Sequence, residues 1–174
     1  FKAAAPSAGL IHVASHAATG SLPKVEFIDS SLYLNEIYAM QLKAHLVVIS
    51  ACESGIGKVD KSEGTLSLAR GFYYAGAQNI ITSLWNADDK STAELFKKFY
   101  DAGNTDYAAA LTGVKRKYLQ ENIRGVRASP YYWAGFIIAG NGISPNHSHF
   151  LLYAIAAIAA ITMLIIFMRK KQFN

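Results

Sequence analysis

The sequence predicts an α/β fold built on a mostly parallel sheet, followed by one membrane-spanning helix. Short apolar runs alternate with segments of helical spacing, which is the pattern of strands joined by crossover helices. The runs are apolar on consecutive residues rather than on alternate ones, as in strands covered on both faces. Near the end, Phe150 to Met168 form 19 consecutive residues without a charge.

Leu10–Ser15 (LIHVAS) reads as the first buried strand. A turn-rich stretch from Gly20 to about Ser31 follows, with a short extended piece at Val25–Ile28, and Asn35 is placed to cap a short helix carrying Ile37, Tyr38 and Leu42. Leu46–Ser50 (LVVIS) is the clearest strand and runs into Ala51-Cys52-Glu53-Ser54-Gly55-Ile56-Gly57. Leu66, Ala69, Phe72 and Tyr73 have helical spacing, and Gly76 stands where a left-handed C-terminal cap is expected. The third strand is Asn79–Leu84, ending at Trp85. Asp88, Asp89 and Ser91 offer N-cap oxygens, Ser91 and Glu94 have capping-box spacing, and the helix behind them is expected to bury Leu95, Phe96, Phe99 and Tyr100. A further helix from about Tyr107 to Gln120 presents Tyr107, Leu111, Val114 and Tyr118 on one side, and Trp133–Ala139 reads as the last strand.

The hydrophobic content of 52% beside 17% charged residues is high for a soluble domain, and the cause is local. The uncharged run spans roughly 28 Å at about 1.5 Å per residue, close to a ~30 Å hydrocarbon core. Tyr153 suits the interface, and Arg169, Lys170 and Lys171 close the run with a basic stop. The expected organisation is therefore an α/β domain over 1–142, a linker over 143–149, a transmembrane helix over 150–168 and a basic tail over 169–174. The basic tail favours a single-pass protein with a cytoplasmic C-terminus, its folded domain on the non-cytoplasmic side, in a periplasm-like space if the source is bacterial. The net charge of +5 falls to +2 without those three tail residues, too little to argue for nucleic acid. A single cysteine excludes an internal disulfide framework.

In open parallel sheets, chemistry gathers at the carboxyl ends of the strands. His16 follows the first predicted strand and Cys52 the second, so neighbouring strands would bring both to one edge. A thiol near pKa 8.5 is mostly protonated at neutral pH, and an adjacent imidazole can take its proton and later return one to a leaving amine. Gly55 and Gly57 would let backbone amides approach a substrate carbonyl. A core cysteine beside an unrelated loop histidine has the same spacing and stays open on these grounds. His12 and His16 are not expected to share a metal, because one lies within the strand and the other beyond it.

The string LVVISACESGIGKVDKSEGTLSLARGFYYAGAQNIITSLWNADDKST, with IHVASHA before it and PYYWAGFIIAG after it, closely resembles the CHAT domain, a caspase- and separase-related peptidase family. The resemblance runs from about Leu10 to Gly140. It implies a caspase-like three-layer α/β/α fold whose usual first strands, and often helical repeats, precede the stretch seen here. It implies His16 as general base, Cys52 as nucleophile, and the backbone amides of Ala17 and Cys52 as oxyanion donors. Many family members carry glycine after the histidine, where this chain has Ala17. Glu63, Asp88 and Asp89 would line a pocket for a basic side chain ahead of the scissile bond, although helix capping accounts for Asp88 and Asp89 without any substrate. The implied activity is cofactor-free, metal-free cleavage of protein or peptide substrates, switched on through an N-terminal helical-repeat region of the same protein. The alternative is an inactive membrane-anchored scaffold of the same fold.

Overall fold

The computed structural model describes residues 1–18, 23–50, 58–60, 64–66, 68–85, 88–103 and 106–142. All but one of the expected strands and helices fall within them. Cys52, Glu63, Gly55, Gly57 and the predicted linker, membrane span and tail (143–149, 150–168 and 169–174) lie outside the described residues. Among the described residues, no helix is long and apolar enough to cross a membrane.

The chain forms β1 (Leu10–Val13), β2 (His16–Ala18), β3 (Lys24–Glu26), β4 (Ser31–Tyr33) and α1 (Leu34–Tyr38). There follow β5 (Leu46–Ile49), β6 (Lys58–Asp60), β7 (Gly64–Leu66), α2 (Leu68–Tyr74) and β8 (Asn79–Ser83). The last elements are α3 (Asp89–Asp101), α4 (Tyr107–Asn122) and β9 (Phe136–Gly140). The main sheet has the order β1-β5-β8-β9. β1, β5 and β8 run parallel, whereas β9 is antiparallel to β8, so the sheet is mixed and mostly parallel.

The apolar strands β5 and β8 are buried at every position, because their two faces serve two cores. Val47 and Ile49 face a cluster with Ile11 and Val13 of β1, Leu34 and Ile37 of α1, and Leu68 and Phe72 of α2. Leu46 and Val48 face the other, with Leu95, Phe96 and Phe99 of α3 and Leu111, Val114 and Tyr118 of α4. Each large side chain buried in this way contributes roughly 1.5–3 kcal/mol relative to exposure. The predicted stripe on α4 is therefore the one that packs.

Local chemistry sets the element ends. Gly76 adopts φ +111° after α2, as its place behind the helix requires. Asp88 caps α3, its carboxylate accepting from the Ser91 amide at 2.9 Å and the Ser91 hydroxyl at 2.8 Å. The expected Ser91–Glu94 capping box does not form: Ser91 is inside the helix and buried, and Glu94 pairs with Arg127 at 3.2 Å. The helix over α1 starts at Leu34 rather than being capped by Asn35, with the Glu36 carboxylate accepting the Tyr33 amide at 2.9 Å. Leu66, expected in a helix, belongs to β7. The last strand begins at Phe136 rather than Trp133. The Trp133 indole instead donates to the Ala128 carbonyl at 3.1 Å, within a segment of short 3-10 turns.

Candidate active site

The ladder between β1 and β5 ends at the pair Val13–Ile49, where the Ser50 amide donates to the Val13 carbonyl at 3.0 Å. Both strands leave the sheet at the same edge, the carboxyl edge of the parallel strands. From that last pair, His16 is three residues on in one strand and Cys52 three residues on in the other. The structure describes the first of these positions only.

His16 opens β2, the first strand of a small antiparallel sheet with β3 and β4. Its cross-strand partner is Glu26, and Ala17 stands opposite Val25. The turn before it is fixed by the Ser15 hydroxyl, which donates to the Glu26 carbonyl. Glu26 forms an ion pair with Lys24 at 2.8 Å, and that hydrogen-bonded lysine, helped by the nearby His16, holds its carboxyl below the ordinary range. This miniature sheet therefore presents an exposed His16 from a hydrogen-bonded strand. Ala17 fits there, since strand backbone at φ of about −140° carries no penalty for alanine.

A groove of ≈410 Å3 lies at this edge, between the ends of β1 and β5 and the first turns of α3. His12, Ser15, His16 and Ser50 line one side, and Asp89, Thr92 and Phe96 the other. His16 and Asp89, two of the candidate residues, thus share one groove. Asp88 does not line it; its carboxylate is taken up by the helix cap, and the Ser91 amide and hydroxyl hold its pKa below the ordinary value. Trp85 does not wall the groove either. Its indole donates to the Tyr131 carbonyl at 2.9 Å and lies against Gly135. A larger cavity of ≈460 Å3 lies beneath α2 and β9, but among its described lining residues Arg70 is the one charged side chain and there is no acid–base pair.

His12 and Ser50 are the residues that sequence reasoning left without a role. The alternation of β1 gave a signal: Ile11 and Val13 enter one core, so His12 points to the opposite face. There its ring lies 5.1 Å from that of Phe96 and 5.7 Å from that of Tyr100. One edge reaches the groove, yet this packing desolvates the imidazole and lowers its pKa. Tyr100, expected to be buried with Leu95, Phe96 and Phe99, is 38% exposed because it lies beside His12 at the groove edge. Partial desolvation there raises its hydroxyl to about 12. Among the described residues no group of histidine, cysteine and carboxylate side chains is placed to hold a metal ion.

Comparison with known proteins agrees with this architecture. Residues 1–141 match the CHAT domain. A stretch of 112 residues, 64% of the chain, is 30% identical to Tetratricopeptide repeat protein 28 of Homo sapiens and 29% identical to Tetratricopeptide repeat protein 28 of Mus musculus. The chain spans only 4% of the length of each of these relatives. A mostly parallel α/β sheet with a histidine at its carboxyl edge, matched by the domain over the greater part of its length, places this protein in the CHAT domain family.

Proposed function

We propose that the chain is a caspase-like thiol endopeptidase, in which Cys52 attacks a substrate carbonyl and His16 moves the protons. The observation that supports this reading is the parallel pairing of β1 with β5, whose carboxyl ends lie side by side at Val13 and Ile49, with His16 and Cys52 each three residues further along the sequence. His16 removes the thiol proton, the sulfur bonds to the scissile carbonyl carbon, and the carbonyl oxygen takes up the negative charge. The amides of Ala17 and Cys52 are the proposed donors to that oxyanion. Collapse breaks the C–N bond, with His16 giving its proton to the departing amine. Water, deprotonated by His16, then hydrolyses the thioester and frees Cys52. Asp89 in the groove, together with Glu63, is proposed to favour a basic side chain ahead of the scissile bond.

Iodoacetamide labelling of Cys52 against pH, in the full chain and in His16→Ala, tests this directly. An apparent thiol pKa below 8.5 that rises in the variant is expected, with loss of peptide cleavage in Cys52→Ala. Cleavage that survives Cys52→Ala would refute it.

A second reading, an inactive interaction domain of the same fold, draws on the names of the two curated relatives, since tetratricopeptide repeats build extended binding surfaces. It is favoured instead if the thiol titrates near 8.5 in both proteins. Residues 150–168 are proposed to anchor the domain to a bilayer, with the tail cytoplasmic; release by alkaline carbonate would exclude the anchor.

A further inference from the structure

At the rim of the groove, one exposed imidazole joins three elements just below the proposed catalytic edge. The Tyr100 hydroxyl of α3 lies 3.0 Å from His12 Nδ1, and His12 Nε2 lies 3.1 Å from the Ser50 hydroxyl. Ser50 in turn donates to the Val13 carbonyl through its amide at 3.0 Å and faces the same oxygen with its hydroxyl at 3.4 Å. A neutral imidazole has one donor and one acceptor nitrogen. With Tyr100 donating to Nδ1, Nε2–H donates to Ser50, and the Ser50 hydrogen turns to Val13. All the groups are then satisfied in one direction, from α3 through β1 to the end of β5.

His12 is exposed at the groove edge, with one side of its ring against Phe96 and Tyr100. What the imidazole adds is a tether on Ser50, the first residue past β5 and two residues before Cys52. We infer that His12 is a positioning residue for the proposed thiol chemistry: it ties the end of β5 to α3 through Ser50 and Tyr100, and so fixes where the segment carrying Cys52 leaves the sheet. This inference rests on the peptidase reading for its catalytic consequence but not for the tether itself.

The test uses the full chain with His12→Phe, which keeps a ring against Phe96 and Tyr100 while removing both hydrogen bonds, together with Ser50→Ala and Ser50→Thr. Misplacement of a reacting group by about 1 Å can lower a rate by roughly a hundredfold, so a tenfold to hundredfold loss in kcat and in the Cys52 labelling rate is expected, with KM nearly unchanged. Ser50→Thr, which retains the hydroxyl, recovers most of the loss seen in Ser50→Ala. The double variant His12→Phe/Ser50→Ala is no worse than either single one, because both cut the same link. Amide hydrogen exchange over residues 50–52 reads the tether whether or not the thiol is catalytic, and it should quicken in both His12→Phe and Ser50→Ala. Unchanged exchange and unchanged kcat in His12→Phe overturn the inference and leave the peptidase reading standing. Faster exchange in an enzyme whose wild type cleaves nothing supports the tether and refutes the peptidase.

Discussion

Tyr118 and Ser91 form a buried pair whose energetics can be worked out from their surroundings. The Tyr118 hydroxyl donates to the Ser91 hydroxyl at 2.8 Å, Tyr118 and Ser91 are both 0% exposed, and Ser91 passes its own hydrogen to Asp88 at 2.8 Å. The pair therefore fastens α4 to the first turn of α3, which forms one wall of the groove. Tyr118→Phe deletes one hydrogen bond but leaves Ser91 bonded to Asp88, so a loss of about 1 kcal/mol is expected. Ser91→Ala is worse. It strands a tyrosine hydroxyl in the core, at about 1–3 kcal/mol, and removes a bond to Asp88 as well. In the double variant no polar group is left orphaned, so its loss should fall short of the sum of the single losses by about 1 kcal/mol or more. Urea denaturation of the four proteins at neutral pH, with the slope m unchanged, measures this cycle. Additivity within about 0.5 kcal/mol, or Ser91→Ala proving milder than Tyr118→Phe, would refute the reasoning.

Other expectations concern different parts of the fold. Gly140 has φ +123°, and a Cβ built on it would sit 2.4 Å from the Gln78 carbonyl oxygen; Gly140→Ala should lose roughly 1–3 kcal/mol in the same urea assay, because the obstacle is backbone. The Lys115 amine donates to the carbonyls of Ala134 and Phe136, and burial lowers its pKa. Lys115→Met keeps the stem but orphans those carbonyls, with an expected loss of about 1–3 kcal/mol. His12 has a folded-state pKa below its ordinary value of 6.5, so the unfolded chain binds the proton more readily. Its contribution to stability is whole above pH 6.5 and declines as pH falls from there through the folded value. The fall in urea midpoint between pH 7.5 and pH 5.5 should accordingly be smaller in His12→Gln than in the wild type.

The strands that carry the main sheet were legible because their composition has one physical meaning. LVVI and NIITS are apolar at successive positions, and burial on both faces explains that in each. The small sheet was legible only in part: the extended piece expected at Val25–Ile28 is β3, found at Lys24–Glu26, but β3 and β4 have three residues each and bury one, Val25 and Leu32, which is too short for a period of two to show the sheet. The orientation of β9 was invisible for another reason. Phe136–Gly140 reads the same in either direction, and its reversal depends on where α4 and the 3-10 segment deliver the chain. Asp88 and Asp89 are adjacent and chemically alike, so only the geometry separates the one that caps from the one that faces the groove. His16 was found by counting past a strand end. His12 was missed because an isolated histidine within an apolar run gives no hint of partners 38 and 88 residues away.

The reversal of β9 also has a mechanical consequence. It carries the chain to the edge of the sheet opposite the groove, where Gly142 is gripped from two sides. Its amide donates to the Asn79 side chain at 2.7 Å, and its carbonyl accepts from the Tyr107 amide at 2.7 Å. Asn79 in turn donates to the His45 carbonyl at 2.9 Å, beside the start of β5. A pull transmitted through the chain beyond Gly142 is therefore borne first by this clasp, which must be sheared before the load reaches the strand ends at the far edge.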